Sequence, residues 1–186
     1  IAAPAATQAK YSQDISTKEH ILSKNKKGVV LYDRNGKQLY SFYDAKTDKH
    51  TPLSEISEAT QRAVIAAEDK NFYNHNGVSL SAIVGAMFAN FKKGDIAYGG
   101  STITQQLTKN TILNSDRNLF RKYEEFVLAK NIEKKFSKEE ILEMYLNTVY
   151  FGEGAYGIEE AALVYFNKKA KDLDISEASM LAGIIA

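Results

Sequence analysis

Apolar positions along the chain change their spacing once. Val29, Val30, Leu31 and Tyr32, then Leu39, Tyr40, Phe42 and Tyr43, flank Arg34-Asn35-Gly36-Lys37. Two short β-prone runs around Asn-Gly predict a β-hairpin. After Pro52 the period becomes helical. Ile56, Thr60, Ala63, Val64 and Ala67 fall on one face, which predicts a helix from about 57 to 70. Positions 78–91 are apolar nearly all round and are closed by Lys92-Lys93-Gly94-Asp95, so this segment is either central core or a surface that touches a membrane. Gly99-Gly100-Ser101 reads as a loop whose serine caps a helix running to about Thr111. Asn114-Ser115-Asp116 opens the next, with Leu119, Tyr123, Phe126, Val127 and Ile132 at helical spacing to about Phe136. Ser137-Lys138-Glu139-Glu140 is a capping box that opens a helix to Asn147. Gly152-Glu153-Gly154 interrupts the chain before a helix over 158–166, and Asp174-Ile175-Ser176-Glu177 caps a last one. The expected fold class is mainly α.

Composition narrows the function. At 186 residues, 44% apolar and 25% charged, the chain has the core of one globular domain. With 24 basic against 23 acidic residues, bulk attraction to nucleic acid is excluded as a driving force, and an anion site must be a local cluster. There is no Cys, which excludes a disulfide framework, a thiolate metal site and a thiol nucleophile. His20, His50 and His75 stand apart, without the spacing of a helical zinc site. No run of eighteen apolar residues occurs, and Ile1-Ala2-Ala3-Pro4-Ala5-Ala6 lacks the charged flank of a signal peptide. Between 10 and 27, five Lys stand against one Asp and one Glu, which suits either a solvated linker or a tether near an anionic surface.

Three clusters carry candidate chemistry. Glu68-Asp69 closes its helix at the negative end of the macrodipole, against apolar neighbours. Desolvation, the dipole and the adjacent acid all raise the proton affinity of Glu68, which is how a general base is tuned. The same pair also reads as an exposed helix end. Arg117, Arg121 and Glu125 follow at four-residue intervals along one helical strip, with Lys122 beside them. Cations near a helix N-terminus suit phosphate oxygens, and they equally suit a solvated charged face. The stretch from Ser101 to Asn110 concentrates hydroxyls, amides and Lys109, suited to a sugar or a pyrophosphate, or to a polar surface helix. Phe72, Tyr73 and His75 read as core aromatics and a loop histidine.

Taken in order, these segments resemble the peptidoglycan glycosyltransferase domain of class A penicillin-binding proteins and monofunctional peptidoglycan polymerases (glycosyltransferase family 51). The resemblance lies in Glu68-Asp69-Lys70-Asn71-Phe72-Tyr73-Asn74-His75-Asn76-Gly77, in Gly100-Ser101-Thr102-Ile103-Thr104-Gln105-Gln106-Leu107 with Lys109-Asn110, and in Arg121-Lys122-Tyr123-Glu124-Glu125. It continues through Ser137-Lys138, Ile141-Leu142 and Tyr145-Leu146-Asn147 to Tyr150-Phe151-Gly152 and Gly157-Ile158. Ser79 and Gly85 depart from the family pattern, which often has an acid and an Arg there.

The resemblance implies a lysozyme-like helical domain over 28–186 with a short N-terminal β-hairpin, and a small mobile lobe over 78–98 that faces the membrane. It also implies that 1–27 is a membrane-proximal linker, on the outer face of the bacterial cytoplasmic membrane, after a transmembrane anchor absent from this chain. Glu68 would deprotonate the acceptor 4-hydroxyl of lipid II, which attacks the lipid-linked glycan with inversion and expels undecaprenyl pyrophosphate. Glu125 would be a second essential acid near that pyrophosphate. Lys109, Arg117, Arg121 and Lys122 would bind it. Asp69, Phe72, His75, Ser101, Thr102, Gln105, Gln106 and Asn110 would complete the substrate site. No cofactor is required, although a divalent cation (Mg or Mn) has a place at the pyrophosphate. Implied partners are lipid II, the growing glycan, the plasma membrane, a C-terminal transpeptidase domain and cell-wall synthesis proteins, without nucleic acid. The competing readings are a lysozyme-like hydrolase or lytic transglycosylase, and a membrane-surface glycan-binding module without turnover.

Overall fold

The computed structural model describes residues 17–23, 30–35, 38–41, 50–79, 100–112 and 119–185. Helices dominate. In chain order they are α1 (Lys18–Ser23), α2 (Glu58–Glu68), α3 (Ile103–Thr111), α4 (Leu119–Lys135), α5 (Lys138–Thr148), α6 (Ile158–Phe166) and α7 (Ile175–Ile185). Strands β1 (Val30–Tyr32) and β2 (Gln38–Ser41) pair antiparallel, Val30 opposite Ser41 and Leu31 opposite Tyr40. The expected turn residues Gly36 and Lys37 lie outside the described residues, as do 80–98 of the expected lobe, Asn114 to Asp116, and the first sixteen residues.

Local chemistry explains the helix limits. Ser57 caps α2 by accepting from Thr60 N, and Ser137 caps α5 in a reciprocal box with Glu140. Asp174 Oδ1 accepts from Ser176 N at 2.8 Å and Glu177 N at 2.9 Å at the start of α7. Helix α3 corrects the sequence reading by one residue: its cap is Thr102, not Ser101. Thr102 Oγ1 accepts from Gln105 N while Gln105 Oε1 accepts from Thr102 N. That leaves Ser101 free of capping duty and available to another element.

The core runs through α5, where Ile141, Leu142, Met144, Tyr145 and Leu146 are wholly buried, and gathers Leu128 and Ile132 of α4 with Ile103 and Leu107 of α3. Helix α2 packs on α7 and sends Val64 inward. Ala67, expected on that inner face, is exposed. The 10–27 stretch, polar by composition, contains α1, whose Ile21 is wholly buried against the body. Among the described residues, no helix is long and apolar enough to cross a membrane.

Candidate active site

Glu68 is the last residue of α2 and is half-buried. Its Oε2 accepts a 2.5 Å hydrogen bond from Gln106 Nε2, and Gln106 Oε1 in turn accepts from the Tyr145 hydroxyl at 3.1 Å. Its other oxygen, Oε1, is buried without a hydrogen-bond partner, and among the described residues no cation pairs with the group. Burial raises its proton affinity, the Gln106 donor opposes this, and the neighbouring Asp69 charge adds to it, leaving the pKa raised. A carboxylate held this way, one oxygen fixed and one unserved, is built to take a proton.

Asp69, next in sequence, is more deeply buried. It lies inside, where its carboxylate meets His75 Nε2 at 2.8 Å and accepts from Ile103 N, the first residue of α3, at 3.1 Å. His75 Nδ1 accepts from Gly77 N at 3.2 Å, and Gly77 O accepts from Thr102 Oγ1 at 2.7 Å. The loop after α2 is thereby tied to the start of α3, which places Gln106 against Glu68. Gly77 has φ +85°, and a Cβ there would stand 2.8 Å from the Ala129 carbonyl oxygen, so the loop approaches α4 as only glycine permits. Phe72 is wholly buried, with His75 edge-on to its ring at 6.3 Å and Lys138 Nζ 4.5 Å from its centroid. Of the sequence-predicted site residues, Asp69, Phe72, His75, Thr102 and Gln105 thus spend their groups on the protein itself.

The cationic strip stands on α4. Glu125 is almost wholly buried, with Lys122 Nζ 2.7 Å from its Oε2 and an Arg121 guanidinium nitrogen 3.5 Å from its Oε1. Lys122 Nζ also donates to Ser101 Oγ at 2.8 Å. The residues just before and within α3 therefore reach both acids: Ser101 meets the Lys122–Glu125 pair, and Gln106 meets Glu68. Lys109 and Asn110 are exposed on the last turn of α3. Arg117 lies outside the described residues. The donor set does not build a cation cage, since two cations flank Glu125 and no three His, Asp or Glu side chains converge among the described residues.

Sequence reasoning missed two features. Tyr145 stands in the Tyr145-Leu146-Asn147 resemblance, which gives it no role in the site, and only the structure shows its hydroxyl, deep in the core, reaching Gln106. Glu143, on the same helix, accepts from Leu53 N at 2.9 Å and pairs with Lys18 and His50, a contact spanning ninety residues of sequence that no local pattern carries.

The transglycosylase family profile matches residues 35–186. Penicillin-binding protein 1F of Bacillus subtilis (strain 168) is 44% identical over 156 residues, covering 83% of this chain and 21% of that protein. Penicillin-binding protein 1A of Neisseria lactamica is 42% identical over 156 residues, covering 84% and 19%. Penicillin-binding protein 1A of Aquifex aeolicus (strain VF5) is 44% identical over 154 residues, covering 83% and 21%. The chain spans about a fifth of the length of these relatives. The profile covers most of the chain and the identities exceed two in five, so this protein belongs to the transglycosylase family, as the catalytic domain type found in penicillin-binding proteins.

Proposed function

We propose that this chain is a peptidoglycan glycosyltransferase that joins lipid II units into β-1,4-linked glycan, with inversion and release of undecaprenyl pyrophosphate. One observation carries the reading: a half-buried Glu68 without a cation among the described residues and a Glu125 held among cations are reached from the same short stretch around the start of α3. In the reaction Glu68 takes the proton of the acceptor 4-hydroxyl as that oxygen bonds to the anomeric carbon of the lipid-linked glycan. The bond from that carbon to the pyrophosphate breaks on the opposite face, and its electron pair leaves with the pyrophosphate. Lys109, Arg117, Arg121 and Lys122 offset the developing charge, because an activated pyrophosphate needs charge stabilisation more than a proton. Ser101 and Glu125 hold Lys122 in place before substrate arrives, which lowers the reorganisation needed in the transition state.

The helical body is assigned to the lysozyme-like class on its family, and the lobe over 78–98 to the membrane side on its apolar sequence. The partners in this reading are lipid II, the growing glycan and the outer face of the cytoplasmic membrane. The raised proton affinity of Glu68 also suits a hydrolase, whose acid must be protonated at the leaving sugar oxygen. The cations around Glu125 argue against that, since a hydrolase of glycan has no pyrophosphate to neutralise. Incubation of the chain with lipid II in detergent or vesicles tests the reading. Polymer and free undecaprenyl pyrophosphate in matched amounts support it. Shortening of preformed glycan, with lipid II untouched, overturns it.

A further inference from the structure

Gln106 has two chemically different ends, and the base needs only one of them. With the amide as it stands, Nε2 donates to Glu68 Oε2 at 2.5 Å. Turned by 180°, it would set Oε1 against the carboxylate, acceptor against acceptor. Packing cannot choose between these, because the two orientations have almost the same shape. The ionised carboxylate selects the first orientation, and that orientation leaves Oε1 at the far end of the amide in need of a donor, which Tyr145 supplies.

We propose that Tyr145 is a positioning residue for the transfer reaction: its hydroxyl, bonded to Gln106 Oε1 at 3.1 Å, holds the amide with Nε2 toward Glu68. The inference rests on the reading of Glu68 as the base. Tyr145 is wholly buried on α5 between Met144 and Leu146, themselves wholly buried, so its ring has one fixed place and its hydroxyl one partner. Burial, with the Glu68 charge adding to it, pushes the phenol far above its ordinary pKa, so it remains a neutral hydroxyl. Among the described residues, the groups that face Glu68 are then Asp69 from the adjoining loop, itself held by His75, Gln106 from α3, and Tyr145 behind it from α5.

While Glu68 is ionised, Tyr145 donates to Gln106 and Gln106 donates to Glu68. Once Glu68 holds the substrate proton on Oε1, Gln106 still donates to Oε2, and a polarised donor is worth less to the neutral acid than to the carboxylate. Without the phenol hydroxyl, Gln106 Oε1 is left unserved. The ionised state also loses a donor that polarises the amide toward the carboxylate.

The test is Tyr145→Phe in the whole chain, read by the pH profile of glycan formation from lipid II and by a carbon-13 titration of the Glu68 carboxyl. The Glu68 midpoint and the acid limb of the rate should move together to higher pH, a gain in proton affinity of about three- to tenfold. The effect should fall on kcat, with KM for lipid II unchanged. In a Gln106→Leu background, Tyr145→Phe should add no further shift. An unmoved Glu68 midpoint in a folded Tyr145→Phe chain overturns the proposal, as does an equal added shift in the Gln106→Leu background. If Tyr145→Phe does not fold, Gln106→Leu alone decides, and an unchanged Glu68 midpoint there overturns it. If the midpoint shifts but Glu68→Gln still makes glycan, the reading of Glu68 as base fails while the coupling of Tyr145 to Glu68 stands.

Discussion

Glu68 and Glu143 are both carboxylates drawn into the helical body, and their surroundings treat them in opposite ways. Glu143 has Lys18 and His50 beside it and accepts from Leu53 N. Burial pushes its pKa up, but the Lys18 contact, the Leu53 N–H and the nearby His50 charge outweigh that and leave it lowered. One turn on, Asn147 bonds both the N–H and the carbonyl of Thr51, so α5 holds the 50–53 segment with its whole edge. Among the described residues Glu68 has one hydrogen bond, no cation and an unserved oxygen, and its pKa is raised. A carboxylate supplied on every side secures the fold, while one supplied on a single side is left with chemistry to do.

The two therefore carry opposite pH dependences. The lowered pKa of Glu143 contributes stability that is present above the pKa of the unfolded chain and is lost as pH falls through the folded value. The raised pKa of Glu68 means that ionising it in the folded state costs stability, a cost that appears as pH rises through the ordinary glutamate range and persists at neutrality.

The sharpest way to break the comparison is Glu68→Gln. Glycan formation should fall on the order of 100- to 10,000-fold, since the amide cannot take a proton. The melting temperature at neutral pH should not fall, because an unserved buried charge has been removed. More than a tenth of the wild-type rate, or early melting, would place Glu68 in the same class as Glu143. Next in size are the cations: Lys122→Ala and Lys109→Ala should each weaken a pyrophosphate-bearing donor mimic by about tenfold in a competition assay. Lys171→Ala, exposed after α6, should leave it unchanged, and equal effects from all three would make the strip an ordinary solvated face.

Glu143→Gln should lower stability by about 1 to 2 kcal/mol in urea melts at pH 7, with the difference shrinking as pH falls and the transfer rate per folded molecule unchanged. A variant as stable as wild type would show that the Lys18 and His50 contacts contribute nothing. The smallest effect separates the two hydroxyls before α3. Thr102→Ala should cost about 1 kcal/mol as a lost cap, while Ser101→Ala should leave stability within about 0.5 kcal/mol and weaken only donor binding. Equal destabilisation by both would contradict the assignment of Thr102 as the cap.

Much of this arrangement was legible in the sequence, and the parts that were not share a physical cause. Helices α5 and α7 follow from their caps, α4 from its apolar spacing and α6 from the glycine break before it, because those signals are local: Ser137 and Glu140 form their box within four residues. Glu68 and the Arg121–Lys122–Glu125 strip were visible as acids against a helix dipole and charges at helical spacing. The choice of Thr102 over Ser101 as cap was missed although it is local, since Thr102 has Gln105 three residues on to close a capping box and Ser101 has Thr104. The burial of Asp69 was not legible, being decided by His75 and Ile103 N at a distance. The Lys18–Glu143 contact and the Tyr145–Gln106 bond join elements far apart in the chain, and composition read Lys18 only as part of a polar stretch.

The most direct measurement follows the Glu68 and Glu143 carboxyls by carbon-13 titration in one sample, alongside the rate of glycan formation over the same pH range. Glu68 should titrate above the ordinary glutamate value and Glu143 below it, with the acid limb of the rate at the Glu68 midpoint. A rate that stays high while Glu68 is fully protonated would contradict its role as the base.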